Sequence, residues 1–93
     1  MTVKFFAYLR GREFAGCKEL PWSGALTLRE LGDQLCARFG ARFREEFYSP
    51  AGDALGERVI VMVNGRRVEF LDGLNTALKD TDAVLIYPVV AGG

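Results

Sequence analysis

The last seven residues, Tyr87-Pro88-Val89-Val90-Ala91-Gly92-Gly93, have the types and order to present a reactive group. Pro88 disfavours helix at the residue before it and closes any strand that leads into it. Behind it stand small, uncharged side chains and then two residues without a Cβ. Such backbone is as thin as a polypeptide can be and tolerates the close approach of other groups. Extended at about 3.3 Å per residue, 89–93 reach roughly 16 Å. A tip of that shape can carry the carboxylate of Gly93 into a narrow active site belonging to another protein. The commonplace alternative is a frayed terminus, but frayed termini are usually polar and Val-Val-Ala-Gly-Gly is not.

Nothing else in the chain reads as catalytic apparatus. Histidine is absent, which removes both the commonest general base near neutral pH and the commonest metal ligand. Cys17 and Cys36 form no CxxC pair and have no other thiols or histidines to complete a metal site, so no metal is expected. No GxGxxG, P-loop or GxSxG occurs. Glu45, Glu46, Asp53, Glu57, Glu69, Asp72, Asp80 and Asp82 fall in turns and polar stretches, where solvated charge is the plain reading. Arg42, Arg44, Arg66 and Arg67 are diluted by neighbouring glutamates, and the formal net charge is +0. No global field draws the chain to nucleic acid or to an anionic membrane. The longest apolar stretch, 83–91, is too short to cross a bilayer and contains Pro88. With no signal-peptide layout after Met1, the expectation is a soluble, reduced, cytoplasmic protein.

Positioning the tail falls to a small set of elements, and 93 residues allow one core. V-K-F-F-A-Y-L-R at 3–10 alternates as a strand, with Val3, Phe5, Ala7 and Leu9 on a wholly apolar side. Lys4, Phe6, Tyr8 and Arg10 form a mixed side carrying two aromatics that the core does not need. Residues 17–22 predict a second strand, at an edge because Pro21 cannot donate to a ladder. Thr27 and Glu30 form a capping box, in which Thr27 accepts from the Glu30 amide and Glu30 reaches back. Leu28, Leu31, Leu35 and Phe39 then recur at helical spacing, flanked by Gly32 and Cys36, up to a stop at Gly40. Cys36 reads as a small core residue. Phe43 and Phe47 predict one face of a short second helix, followed by loop residues 49–53. V-I-V-M-V, Asn64-Gly65 and R-R-V-E-F predict a hairpin with a type I′ turn, whose strands run 59–63 and 66–70. The last strand, 83–87, is apolar at successive positions, as a central strand covered on both faces would be. One main helix covers one face of a mixed sheet of four to five strands; a partner protein is the expected cover for the other. The fold class is α+β.

With those elements in place, the chain resembles the ubiquitin-like β-grasp sulfur carriers. The resemblance lies in the opening strand V-K-F-F-A-Y-L-R, the helix after T-L-R-E-L, and V-N-G-R-R-V. It continues through L-D-G-L-N-T-A-L-K-D-T-D-A-V-L-I-Y-P-V-V-A-G-G, so that it covers essentially the whole chain. The likeness is to the MoaD type, the small subunit of molybdopterin synthase, with the ThiS type of thiazole synthesis as a cousin. The stretch 43–57 is similar to the longer, archaeal-type branch, which also contains protein modifiers. The resemblance implies a β-grasp domain over 1–88 and a flexible Gly-Gly tail over 89–93.

It further implies that the chain is a carrier rather than an enzyme, with the reaction at Gly93 behind Gly92. A ubiquitin-activating-like enzyme would adenylate the carboxylate with ATP. A sulfur donor would then displace AMP to leave a thiocarboxylate. The sulfur would pass to the pterin precursor in the large subunit of molybdopterin synthase. No cofactor would be bound by the chain itself. Implied alternatives are a modifier joined through Gly93 to lysines, or a sulfur carrier for thiazole synthesis or tRNA thiolation. The implied docking face, opposite the helix, holds Phe6, Tyr8, Met62, Arg67, Leu85 and Tyr87, and continues into Pro88, Val89, Val90 and Ala91. The family often reads Phe-Pro-Pro-Val before its terminal glycines. Here Tyr87 brings a hydroxyl that needs a partner if buried, and Val89 in place of proline restores an N–H donor.

Overall fold

The computed structural model describes residues 1–6 and 17–88, with the side chains of Phe5, Phe6, Cys17, Lys18 and Pro88 outside the description. The described chain runs β1 (Thr2–Phe6), β2 (Cys17–Pro21), α1 (Leu28–Phe39), α2 (Ala41–Phe47), β3 (Val59–Val63), β4 (Arg66–Arg67) and β5 (Ala83–Pro88). These strands form a mixed sheet of order β2-β1-β5-β3-β4. β5 lies between β1, to which it is parallel, and β3, to which it is antiparallel. The central place expected from its apolar run is where it sits. β2 is an edge strand, so Pro21 deprives no interior ladder of a donor.

The alternation of β3 is visible in its burial, with Val59, Val61 and Val63 inside and Ile60 and Met62 half-buried. Val61 stands opposite Ile86, and Val63 and Val3 stand opposite Val84, so one sheet face is lined by branched aliphatics. Leu28, Leu31 and Leu35 of α1 close over them, each with 0% exposure. Full burial of a side chain of this size favours folding by about 1.5–3 kcal/mol. This packing holds β5, and with it the root of the tail, rigidly at the middle of the sheet.

At the start of α1, Thr27 has extended φ and ψ of −136° and 162°, and its Oγ1 accepts from the Glu30 amide at 3.2 Å. The return half of the capping box differs from expectation. Glu30 Oε1 accepts from the Leu26 amide at 3.0 Å, one residue before the cap. Thr27 is meanwhile bridged to Ala77, with the Leu28 amide donating to Thr76 and the Leu78 amide to Leu26. The helix ends at Gly40, whose φ of +94° suits a residue without a Cβ and whose amide donates to the Cys36 carbonyl at 2.8 Å.

α2 buries Phe43 and Phe47 with stacked rings 5.3 Å apart and leaves Arg44 and Glu45 exposed, as its spacing predicts. Glycine at position 32, inside α1, has a steric reason. A Cβ there would come 2.5 Å from both Phe47 Cε2 and Tyr48 Oη. Tyr48, which no motif singled out, is buried, and its Oη lies 2.8 Å from Asp33 Oδ1 and 3.1 Å from the Arg29 carbonyl. Burial first, then the Asp33 carboxylate, push its phenol pKa well up, so it stays a neutral donor. Arg29 Nη2 donates to the Gly52 carbonyl at 2.9 Å, tying loop 49–53 to the helix.

The hairpin turn has positive φ at both Asn64 (53°) and Gly65 (83°), as a type I′ turn requires. The strand expected over 66–70 is shorter. β4 stops at Arg67, and Val68–Phe70 winds into a single 3-10 turn closed by the Leu71 amide on the Val68 carbonyl. Val68 is fully buried while Phe70 is 82% exposed, a contrast reached by turning the chain under the sheet toward Leu74 and Leu78. Hydrophobic pattern alone cannot distinguish that turn from one more strand residue.

Candidate carrier surface and the root of the tail

On the sheet face away from α1, every second residue of β5 and β3 comes forward. These are Leu85 and Tyr87 from one strand and Ile60 and Met62 from the other, all half-buried. Register sets Glu19, Lys4, Leu85, Met62 and Arg67 side by side across the five strands. The row has two apolar residues at its centre and charged residues outside them. A depression of about 310 Å³ beside it is lined in part by Lys4, Glu19, Met62 and Leu85.

Three of the expected site residues, Met62, Leu85 and Tyr87, thus stand together. Tyr87 faces Ile60 across the ladder, and its hydroxyl donates to Met62 Sδ at 3.9 Å. The polar handle that the sequence left without a partner is met within the same face. Arg67 is exposed beside Met62, but its guanidinium is already engaged, with Nε donating to Glu69 Oε2 at 3.0 Å. Exposed pairs of this kind contribute about 0–1 kcal/mol, so Glu69 holds Arg67 only weakly. Phe6 is the last residue of β1, opposite Cys17 in the ladder, and its side chain lies outside the described residues. Pro88 ends β5 opposite Val59, and its side chain too is outside the description. Tyr8, Val89, Val90, Ala91, Gly92 and Gly93 lie outside the described residues altogether.

Two contributors went unread in the sequence. Ile60 shares the face with Met62 by strand parity, which the alternation of V-I-V-M-V would have revealed. Asn64 does more than turn the hairpin. Its amide side chain donates to Asp82 Oδ1 at 2.8 Å and accepts from the Ala83 amide at 2.9 Å. Asp82 Oδ2 accepts in turn from the Lys79 amide at 2.8 Å. These bonds clamp the entry to β5, and the Asn64 hydrogen bond, followed by the Lys79 amide, holds the Asp82 carboxyl below its usual pKa. No sequence signal marks a contact spanning 18 residues.

Among the described residues, no three Cys, Asp or Glu side chains gather as a metal site. Cys36 is a free, half-buried thiol whose pKa burial pushes up, which favours the inert protonated form. No helix among the described residues is long and apolar enough to cross a membrane.

Residues 3–93 match the ThiS family along their whole length. This chain belongs to the ThiS family. Small archaeal modifier protein 3 of Haloferax volcanii is 37% identical over 99 aligned residues, spanning 100% of this chain and 98% of its own. Among solved structures, the BexX/CysO complex from Amycolatopsis orientalis contains a chain that superposes with a TM-score of 0.76 at 28% identity, over 98% of this chain and 99% of that one. A Pyrococcus furiosus chain provisionally designated molybdopterin converting factor, subunit 1, gives a TM-score of 0.55 at 27% identity, over 97% of this chain and 99% of that one. The α+β architecture is therefore the ubiquitin-like β-grasp, and the ThiS family is one of ubiquitin-like sulfur carriers and modifiers.

Proposed function

We propose that this ThiS-family member is a sulfur carrier whose reacting group is the carboxylate of Gly93. In the first step a carboxylate oxygen attacks the α-phosphorus of ATP on an adenylating partner, and pyrophosphate leaves. Sulfide sulfur delivered by a donor protein then attacks the acyl carbon, and AMP leaves with the C–O bond. The product is a thiocarboxylate. A carboxylate is a poor electrophile until activated, and the partner supplies the nucleotide chemistry. The sheet face around Leu85, Met62 and Tyr87 docks the partners, together with Phe6 and Tyr8 if the alternation read from the sequence holds. The observation that carries this reading is that the family match runs through Gly92-Gly93.

As recipient we favour the pterin precursor held by the large subunit of molybdopterin synthase, on the tail and strand motifs and the Pyrococcus furiosus likeness. Intact-mass measurement after incubation with an adenylating enzyme, ATP and a sulfur donor should give the oxygen-to-sulfur increment on Gly93. Adding the large subunit and precursor should then return the carboxylate. No increment with any matched enzyme would overturn the carrier reading. An increment that the large subunit never discharges would overturn only the recipient, and leave thiazole or tRNA thiolation as the sulfur's destination.

A second reading has its own support in the full-length likeness to a small archaeal modifier protein. There the activated acyl carbon of Gly93 is attacked by a lysine amine and an isopeptide bond forms. Gly-Gly remnants on lysines of digested cell protein are its signature; their absence in cells expressing the chain would remove it.

A further inference from the structure

A second concave surface lies on the flank of β3 that turns away from β5. β4 pairs only with Met62 and Val63, so along Val59 and Ile60 that flank has no strand partner among the described residues. Loop residues 53–57 border one side of it and Arg67–Glu69 with Asp72–Asn75 the other, enclosing an open groove of about 550 Å³. Its floor is apolar, made by Leu55 and Ile60, both half-buried, and by Leu74.

The rim is acidic. Asp53, Glu57, Glu69 and Asp72 all line it, against the guanidiniums of Arg29 and Arg67. Arg29 is held on the Gly52 carbonyl and the Tyr48 ring and Arg67 on Glu69, and the carboxylates outnumber both guanidiniums. Glu57 and Asp72, both exposed, have no ion pair or side-chain hydrogen bond among the described residues. An apolar floor under unpaired carboxylates matches side chains that combine an aliphatic stem with a cationic head, which are lysine and arginine. The same charge repels nucleic acid and acidic peptides.

We infer that this groove docks an extended, lysine- or arginine-bearing segment of a partner protein. The cationic heads meet Glu57 and Asp72 while their stems cover Leu55 and Ile60. Ile60 also stands opposite Tyr87, so the groove opens beside the root of the tail. A partner seated on the sheet face reaches it along one continuous surface. Docking here uses no chemistry at Gly93 and stands or falls separately from thiocarboxylate formation.

The probe is a short acetylated peptide alternating lysine with valine, compared with one alternating glutamate with valine. Each is titrated into the unmodified chain while backbone amide resonances are followed. The lysine peptide should saturate, shifting amides of 55–60 and 72–75, and the glutamate peptide should shift none. Glu57→Lys combined with Asp72→Lys should weaken the lysine peptide by roughly tenfold, two exposed charge pairs being removed and reversed. If that variant loses its native spectrum, Glu57→Gln with Asp72→Asn carries the comparison and should weaken binding by a few-fold. Equal binding by a folded variant, or shifts confined to other surfaces, overturns the inference. So does self-association of the chain that these substitutions abolish, because the groove would then belong to a second copy.

Discussion

Single residues decide the local geometry here by what they lack or bridge. Gly32 lets α2 and Tyr48 approach the α1 backbone, with no room for a Cβ. Alanine is the better helix former by about 1 kcal/mol. Its methyl would, however, press on Phe47 and Tyr48, which are buried and cannot swing aside. Overpacking of this kind costs about 1–3 kcal/mol and should win. Chemical denaturation of Gly32→Ala should therefore show a lower midpoint with an unchanged m-value, and a raised midpoint would refute the close-approach argument. Asp82 gives a pH-dependent counterpart. Its carboxyl titrates below the ordinary 3.8 in the folded chain, through Asn64 and the Lys79 amide. Its contribution is thus complete above that ordinary value and disappears as pH falls through the lowered one. Melting temperatures of the parent and of Asp82→Asn should differ at neutral pH and converge in acid. A gap that stays constant into acid would mean that the clamp does not act through the charge.

At the scale of elements, the two faces of the sheet have different work. The inner face, with Val3, Val61, Val84 and Ile86 sealed by α1, supplies stability. The outer face keeps Ile60, Met62, Leu85 and Tyr87 only half-buried, an apolar strip between Lys4 and Arg67. Leu85→Glu should leave the melting temperature within a few degrees, since its side chain is not core, yet weaken an adenylating partner measured by titration calorimetry. Phe6→Lys should behave the same way. Marked loss of stability in Phe6→Lys would place Phe6 in the core and invert the expected parity of β1. The strand periods were legible because burial follows alternation wherever one face is covered. The length of β4 was not, because the chain leaves the sheet at Val68 to reach Leu74, and that depends on what lies beneath.

At the scale of the whole molecule, the described domain sets the point beyond which the proposed reacting group, the Gly93 carboxylate, lies. β5 is paired on both sides and clamped at its entry by Asn64 and Asp82, so the point from which the tail departs is fixed. Removal of Gly92 and Gly93 should leave the melting temperature unchanged and abolish thiocarboxylate formation entirely. Intact mass and calorimetry on the same sample check both halves, and thiolation of the truncated chain would relocate the chemistry. Two surfaces lie near the departure point, an apolar strip with charged residues at its sides and a groove rimmed largely by carboxylates, and they meet at Ile60 and Arg67.

The mixed sheet with its central last strand, the capped helix, the Asn-Gly hairpin and the Gly-Gly terminus are legible in residue types and spacing alone. Each of these rests on local chemistry: the period of side-chain alternation, a cap three residues from its partner, positive φ at a two-residue turn. Contacts between residues distant in the chain emerge only once the chain is folded. Glu30 takes the Leu26 amide, while the Leu26 carbonyl and the Leu28 amide bond the distant segment 76–78. Tyr87 finds Met62, 25 positions away. The acidic groove lies where β4 ends early and the chain from Gly52, held by Arg29, runs on into 53–57. Such contacts depend on where the backbone has already gone, which composition and spacing do not encode.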